Sequence, residues 1–474
     1  MPSTPDPSPS RITIVQRPVR GQAVFLTLVL LILVSLPVIL SGNRSGRGAA
    51  DDYNYHWIAI QRFAQQWPVP DLGDYPSATT PGYHLLLAPI VRDGLSHAGA
   101  QIIAMGWSLA FLGLLCSSAS KTLGRMALVM MLPLLASMYV LYPAIWLLPD
   151  NAGWFFVLSI ILLALRDRSL DVSWVLSGVL LVALIWVRQV HIWVAGVIWL
   201  TAWLGTSEST PDSLASFFRD PLRRSGRTII AIACTVPGFL TLVWFLGIWG
   251  GLVPPSFQGQ HQGPNPATPG FILLQLAILS VFFSPVLWPR LRELWAHHWR
   301  WMLLACVIGL VLGLVPRSSY SLDAGRYSGW WNFIKLVPTL ADRSPVFVLG
   351  SVVGAGALCA WLSMAPRRDM WIWLGVLLAF TLAQSANHAS WQRYHEPMLL
   401  VMLVLIVARA GLSEPMRLRA AIGAVALAML LGGLTAMSML RAEPVSTTTL
   451  GDGTAGMIEN GAHLPILSTD SRSS

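Results

Sequence analysis

Long apolar stretches separated by short polar connections make up almost the whole of this chain. The first runs from about Gln22 to Leu40, and others centre near residues 109, 134, 158, 181, 197, 239, 279, 308, 354, 378, 405 and 430. A spanning helix uses about 20 mostly apolar residues, so the pattern predicts an all-α, polytopic integral membrane protein of about thirteen transmembrane helices. One stretch, Trp174 to Leu204, is too long for a single upright helix and short for two. Basic residues flank it on both sides (Arg166/Arg168 and the Arg219 to Arg227 cluster), so it must cross twice, with a turn near Arg188-Gln189-Val190-His191.

Composition agrees. Hydrophobic residues make up 54% of the 474 positions and charged ones 11%, against about a quarter charged in soluble proteins, which excludes a soluble globule. The net charge of +9 sits in short basic runs between apolar segments. Such runs report orientation rather than a nucleic-acid partner. Placing them inside predicts a cytoplasmic N-terminus, with residues 1–20 disordered, a retained first anchor, a transmembrane unit over 21–440 and a disordered polar tail over 441–474. The cysteines, Cys116, Cys234, Cys306 and Cys359, lie in separate apolar stretches and suggest neither a disulfide framework nor a metal site.

With that threading the polar residues gather at the outer ends of the spans. Asp51 and Asp52 follow the first; Asp150 and Asn151 open the fourth; Arg188, Gln189 and His191 sit at the short turn. Asp323, Arg326 and Tyr327 precede the tenth, and Arg393, Tyr394 and Glu396 the twelfth. In the first outer segment Tyr53, Trp57, Ile60, Phe63 and Trp67 recur at helical spacing, predicting an interfacial amphipathic helix capped by Asp51 or Asp52. The segment Gly250 to Gly270 lacks charge but holds Gln258, Gln260, His261, Gln262 and Asn265 among prolines, a composition suited to sugar hydroxyls or to an ordinary connector.

An acid pair directly after the first of many spans resembles the GT-C glycosyltransferases, which use lipid-linked sugar donors. Within that group, Ser77-Ala78-Thr79-Thr80-Pro81-Gly82-Tyr83-His84-Leu85-Leu86 is similar to the T-T-x-P-G-x-Y-L-L segment of the α-1,2-glucosyltransferases that add the terminal glucose to a lipid-linked oligosaccharide. Further stretches follow in the same order: Pro149-Asp150-Asn151-Ala152-Gly153, Trp186-Val187-Arg188-Gln189, the Gly250-Gly251-Leu252-Val253 loop, Asp323-Ala324-Gly325-Arg326-Tyr327 and Arg393-Tyr394 with Pro397. The acid pair here is Asp-Asp where that family has Asp-Glu, and Asp150 stands in place of a glutamate.

The resemblance implies an inverting transfer of a hexose, glucose by analogy, from a polyprenyl-phosphate donor to a glycan or lipid-linked acceptor at the outer or lumenal face. Neither metal nor other cofactor is implied. Asp51 or Asp52 is then the expected base for the acceptor hydroxyl, and Arg188, Arg326 and Arg393 the expected clamp on the donor phosphate. Asp150, Asn151, Gln189, His191, Gln258, His261, Asp323, Tyr327, Tyr394 and Glu396 are candidates to hold the sugar or acceptor, and Trp57 or Trp391 to stack on a ring. A proton-coupled transporter is the alternative; it would place its ionisable residues near the midplane and often in repeated halves.

Overall fold

The computed structural model describes residues 17–166, 171–207, 210–211, 213–218, 221–261, 263–317 and 329–444, and among them the chain is helical with no strand. Every predicted span centre falls on a helix. In order these are α1 (Arg17–Leu40), the segment α2 (Arg47–Asp51), π turn (Asp52–His56) and α3 (Trp57–Gln66), then α4 (Gly82–Arg92), α5 (His97–Leu123), α6 (Met126–Ala136) and α7 (Met138–Ile145). There follow α8 (Asp150–Ala164), α9 (Asp171–Val187), a 3-10 turn (Gln189–Trp193), α10 (Val194–Leu204), α11 (Leu214–Phe217), α12 (Pro221–Trp249), α13 (Gln258–His261) and α14 (Thr268–Val281). The last are α15 (Ser284–Leu314), α16 (Trp330–Ile334), α17 (Pro345–Met364), α18 (Arg367–Ser385), α19 (Gln392–Arg409) and α20 (Glu414–Leu440).

Six of these are long and apolar enough to cross a membrane, and a seventh crossing is formed if α6 and α7, bent by 77°, count as one. Helices α8, α9, α10 and α14 are apolar but shorter; at 1.5 Å per residue none alone covers a hydrocarbon core of about 30 Å. The outward faces carry large apolar side chains, among them Phe25, Leu33 and Leu40 on α1, Ile229, Leu240 and Val243 on α12, and Ile422 and Met429 on α20. Water would not tolerate so broad an apolar exterior. The molecule is an all-helical, multi-pass membrane protein.

Helix α19 lies at the centre, with every residue from His395 to Ala408 buried. Around it α1 packs on α5, α6 on α20, α9 and α10 on α12, and α14 and α15 on α17. The last contacts are close because glycines face their neighbours: a Cβ on Gly309 would lie 2.6 Å from the Ser351 carbonyl oxygen. Small residues at such crossings let helix backbones approach where lipid offers no hydrophobic drive.

The predicted turn inside Trp174 to Leu204 is where the helix breaks. Arg188 is extended (φ −158°, ψ 93°), and the 3-10 turn that follows leads into α10. The first outer segment differs from expectation. Its helix starts at Arg47 after Gly46, whose φ of 91° suits only glycine, and Gly46 makes no side-chain cap. Asp51 and Asp52 therefore lie inside the helix and cap nothing. The cause is packing: Gly48 lies directly on the ring of Trp146, with no room for a Cβ, which pins the chain one turn earlier than the polar pattern suggested. Order also extends beyond both expected boundaries, since α1 begins at Arg17 and the Gly46 N–H donates to the Glu443 carbonyl (3.1 Å). Residues 1–16 and 445–474 of the expected terminal segments lie outside the described residues.

Candidate functional site

The short helices have two chemically distinct ends. At one, Arg368 donates to the carbonyls of Gly205 (2.8 Å) and Ala164 (2.9 Å), while Arg409 pairs with Asp369 and donates to Leu165 O (3.1 Å). These guanidinium groups close the C-termini of α8 and α10, where unsatisfied carbonyls attract cations. All three charged residues come from connections expected inside.

At the other end meet Asp51, Asp150, Arg188 and Arg393, from four segments distant in sequence. Arg393 Nη1 donates to Asp51 Oδ2 at 2.6 Å, and both side chains are about 30% exposed. Arg188 Nη1 pairs with Asp150 Oδ1, and these two residues are only 8% and 7% exposed. Tyr394 joins the pairs: the Arg393 guanidinium lies 5.2 Å and that of Arg188 5.7 Å from its ring centroid. Trp391 flanks Arg393 at 5.2 Å. The Nε atoms of Arg188 and Arg393 are both buried and have no hydrogen-bond partner among the described residues. Two spare cationic donors facing one aromatic ring form a natural receptor for an anion.

The aspartates of the first outer segment separate. Asp52 is fully buried, with Oδ1 3.0 Å from His97 Nε2 and Oδ2 accepting from Gln101 Nε2 at 2.9 Å. It faces α5 and the interior, whereas Asp51 is partly exposed. Beyond Asp52, His56 Nδ1 lies 2.9 Å from His84 Nε2, and the rings stack at 5.2 Å. Burial keeps both imidazoles neutral, moving His56 down to about 3 and His84 well below its usual value. Neither His56, His97 nor Gln101 was singled out from the sequence, because an isolated His or Gln in an apolar run carries no spacing signal.

Several residues expected to hold sugar prove to be committed to the fold. Asn151 donates to Ser108 Oγ and to the Val140 carbonyl (both 2.8 Å). Glu396, buried, accepts from Ser137 Oγ (2.5 Å) and from Gln392 Nε2. His191 is buried and its Nδ1 accepts from Trp193 Nε1 (3.3 Å). Gln258 donates to Trp249 O (2.7 Å), and Asn265 to His388 O (2.8 Å). Gln189 accepts from the Thr80 N–H (3.0 Å) and donates to Ala78 O (3.0 Å) and Leu252 O (2.9 Å). These polar groups satisfy backbone or side chains that would otherwise be orphaned. Gln189 thereby clamps the Ser77 to Gly82 loop to the Gly250 loop. Gly82 sits close against α9, where a Cβ would lie 2.6 Å from Trp186 O. Trp57 packs edge-on to His97, the partner of Asp52, at 4.6 Å.

Asp323, Arg326 and Tyr327 lie outside the described residues, as does the side chain of His261. Among the described residues no group of three or more His, Cys, Asp or Glu is arranged to hold a metal ion. Comparison of the chain with protein-family models, curated proteins and solved structures returns no match.

Proposed function

We propose that this chain is an inverting glycosyltransferase of the GT-C type, with about thirteen membrane crossings and its site at the outer or lumenal face. It moves a hexose, glucose on the strength of the motif order, from a polyprenyl-phosphate donor to a glycan or lipid-linked acceptor. The observation that carries the reading is the meeting of Asp51, Asp150, Arg188 and Arg393 around Tyr394.

Asp51 is the base. It is the carboxylate of the pair that keeps an open side, whereas both oxygens of Asp52 are occupied. As the acceptor oxygen bonds to the anomeric carbon, its proton passes to a carboxylate oxygen of Asp51. The bond from that carbon to the phosphate oxygen breaks, and its electron pair leaves with the phosphate. Arg393 and Arg188 use their unpartnered Nε–H groups on that phosphate, stabilising charge as it accumulates. Arg393 then has two anions to serve, and drawing it toward phosphate loosens its hold on Asp51 when a free base is needed. Asp150, sealed against Arg188, orients that guanidinium. The lipid tail of the donor reaches the site sideways between helices.

The test is incubation of the purified protein with a panel of labelled polyprenyl-phosphate hexoses and glycan or glycolipid acceptors, with Asp51→Asn as the control. Consumption of one donor by the wild type and not by Asp51→Asn supports the reading. No consumption of any donor, with proton-linked uptake into proteoliposomes instead, would move it to the transporter alternative.

A further inference from the structure

The buried imidazole pair is not used by the mechanism above, yet it stands at the same site. His56 leaves the π turn at its C-terminal end, a turn that departs from the 3.6-residue period and is frequent at functional sites. From this one turn and the residue before it, three polar groups diverge: Asp51 to Arg393, Asp52 to His97 and Gln101, His56 to His84. Within reach of the His56 ring are the charges of Asp150, Arg188 and Arg393. Its Nδ1 lies 2.9 Å from His84 Nε2, the one hydrogen bond its ring makes among the described residues. Among the described residues, the buried Nδ1 of His84 and the buried hydroxyls of Tyr83 and Thr80, close by in the chain, have no hydrogen-bond partner. So many polar atoms in one interior patch are costly unless water or ligand reaches them.

We infer that His56 is a substrate-binding residue whose Nε2 meets a hydroxyl of the bound hexose, and that His84 is the positioning residue that fixes its ring and tautomer. The inference rests on the glycosyl-transfer reading. If His84 Nε2–H donates to His56 Nδ1, the proton of the neutral His56 ring resides on Nε2 and makes it a donor. A neutral donor suits a hydroxyl beside two guanidinium groups, because a third cation there would compete for the donor phosphate.

Steady-state transfer by the full-length chain in nanodiscs, with polyprenyl-phosphate glucose as donor, tests this. The set is wild type, His56→Ala, His84→Phe and His84→Gln. One lost hydrogen bond predicts that His56→Ala and His84→Phe each lower kcat about tenfold, with donor KM within about twofold. His84→Gln, which can present an amide N–H near the place of Nε2, regains most of the rate, a recovery that loss of packing would not give. In the wild type, the 15N resonance of His56 Nε2 reports a protonated, neutral ring at pH 6 and moves on donor binding. A wild type that transfers glucose while His56→Ala and His84→Phe match it overturns this inference alone, as does equal loss in His84→Phe and His84→Gln. A wild type that consumes none of the polyprenyl-phosphate hexoses of the panel overturns the transfer reading and this inference together.

Discussion

Asp51 and Asp52 are neighbours in the chain and point to different environments: Asp51 meets Arg393 at a half-open surface, while Asp52 is enclosed between His97 and Gln101. Two carboxylates that looked equivalent in the sequence therefore have different energetic roles. The first is available to chemistry, and the second holds the outer segment to α5.

Substitution should separate them. Asp51→Asn is expected to reduce transfer by about 10²- to 10⁴-fold, the usual contribution of a general base, with a stability loss of no more than about 1 kcal/mol from its partly exposed pair with Arg393. Asp52→Ala strands the amide of Gln101 and should cost about 1–3 kcal/mol in unfolding measurements. If Asp52→Ala leaves stability intact, the assignment of Asp52 to the fold is wrong.

The pair Asp150 and Arg188 is buried, so removing one partner leaves an uncompensated charge. Asp150→Ala or Arg188→Ala should each destabilise by about 3–5 kcal/mol, whereas the double change Asp150→Leu/Arg188→Met should recover much of the loss while abolishing donor binding. A double-mutant cycle with additive single effects would contradict this coupling.

Gln189 uses both ends of its amide on two loops. Gln189→Ala should cost about 1–3 kcal/mol, and Gln189→Glu at least as much, because the carbonyls of Ala78 and Leu252 would then face an acceptor. Limited proteolysis should find new cleavage near 77–82 and 250–258 in both variants; unchanged digestion would refute the clamp.

Acid should loosen the outer segment. The unfolded imidazoles take up protons near their ordinary value of about 6.5, whereas folded His56 resists until about 3 and His84 also lies low. Between those values the unfolded chain binds more protons, so stability is complete above about 6.5 and falls as pH drops below it. The slope should diminish in the double variant His56→Leu/His84→Phe. Equal slopes would place the acid sensitivity elsewhere.

Helical class, helix positions and the break at Arg188 were legible because lipid demands long apolar runs and their parity must match the charged flanks. The π turn was not, since the aromatic spacing from Tyr53 to Phe63 fits an ordinary helix nearly as well. Nor were the duties of Asn151, Gln189 and Glu396. A polar side chain in an apolar stretch looks the same whether it awaits a substrate or satisfies a neighbour, and the neighbour is remote: Ser137 is 259 residues from Glu396. The convergence of Asp51, Asp150, Arg188 and Arg393 was foreseeable only as a shared end of the apolar stretches; which acid faces which guanidinium depends on helix rotation.

Because α19 is enclosed along its length, Arg393 stands at the tip of a fixed post, whereas Asp51 rides on a segment joined to the lipid-facing α1. Of the two anchors, the one that carries the carboxylate is the less enclosed. Amide exchange should accordingly be slowest along α19 and faster from Gly46 to His56.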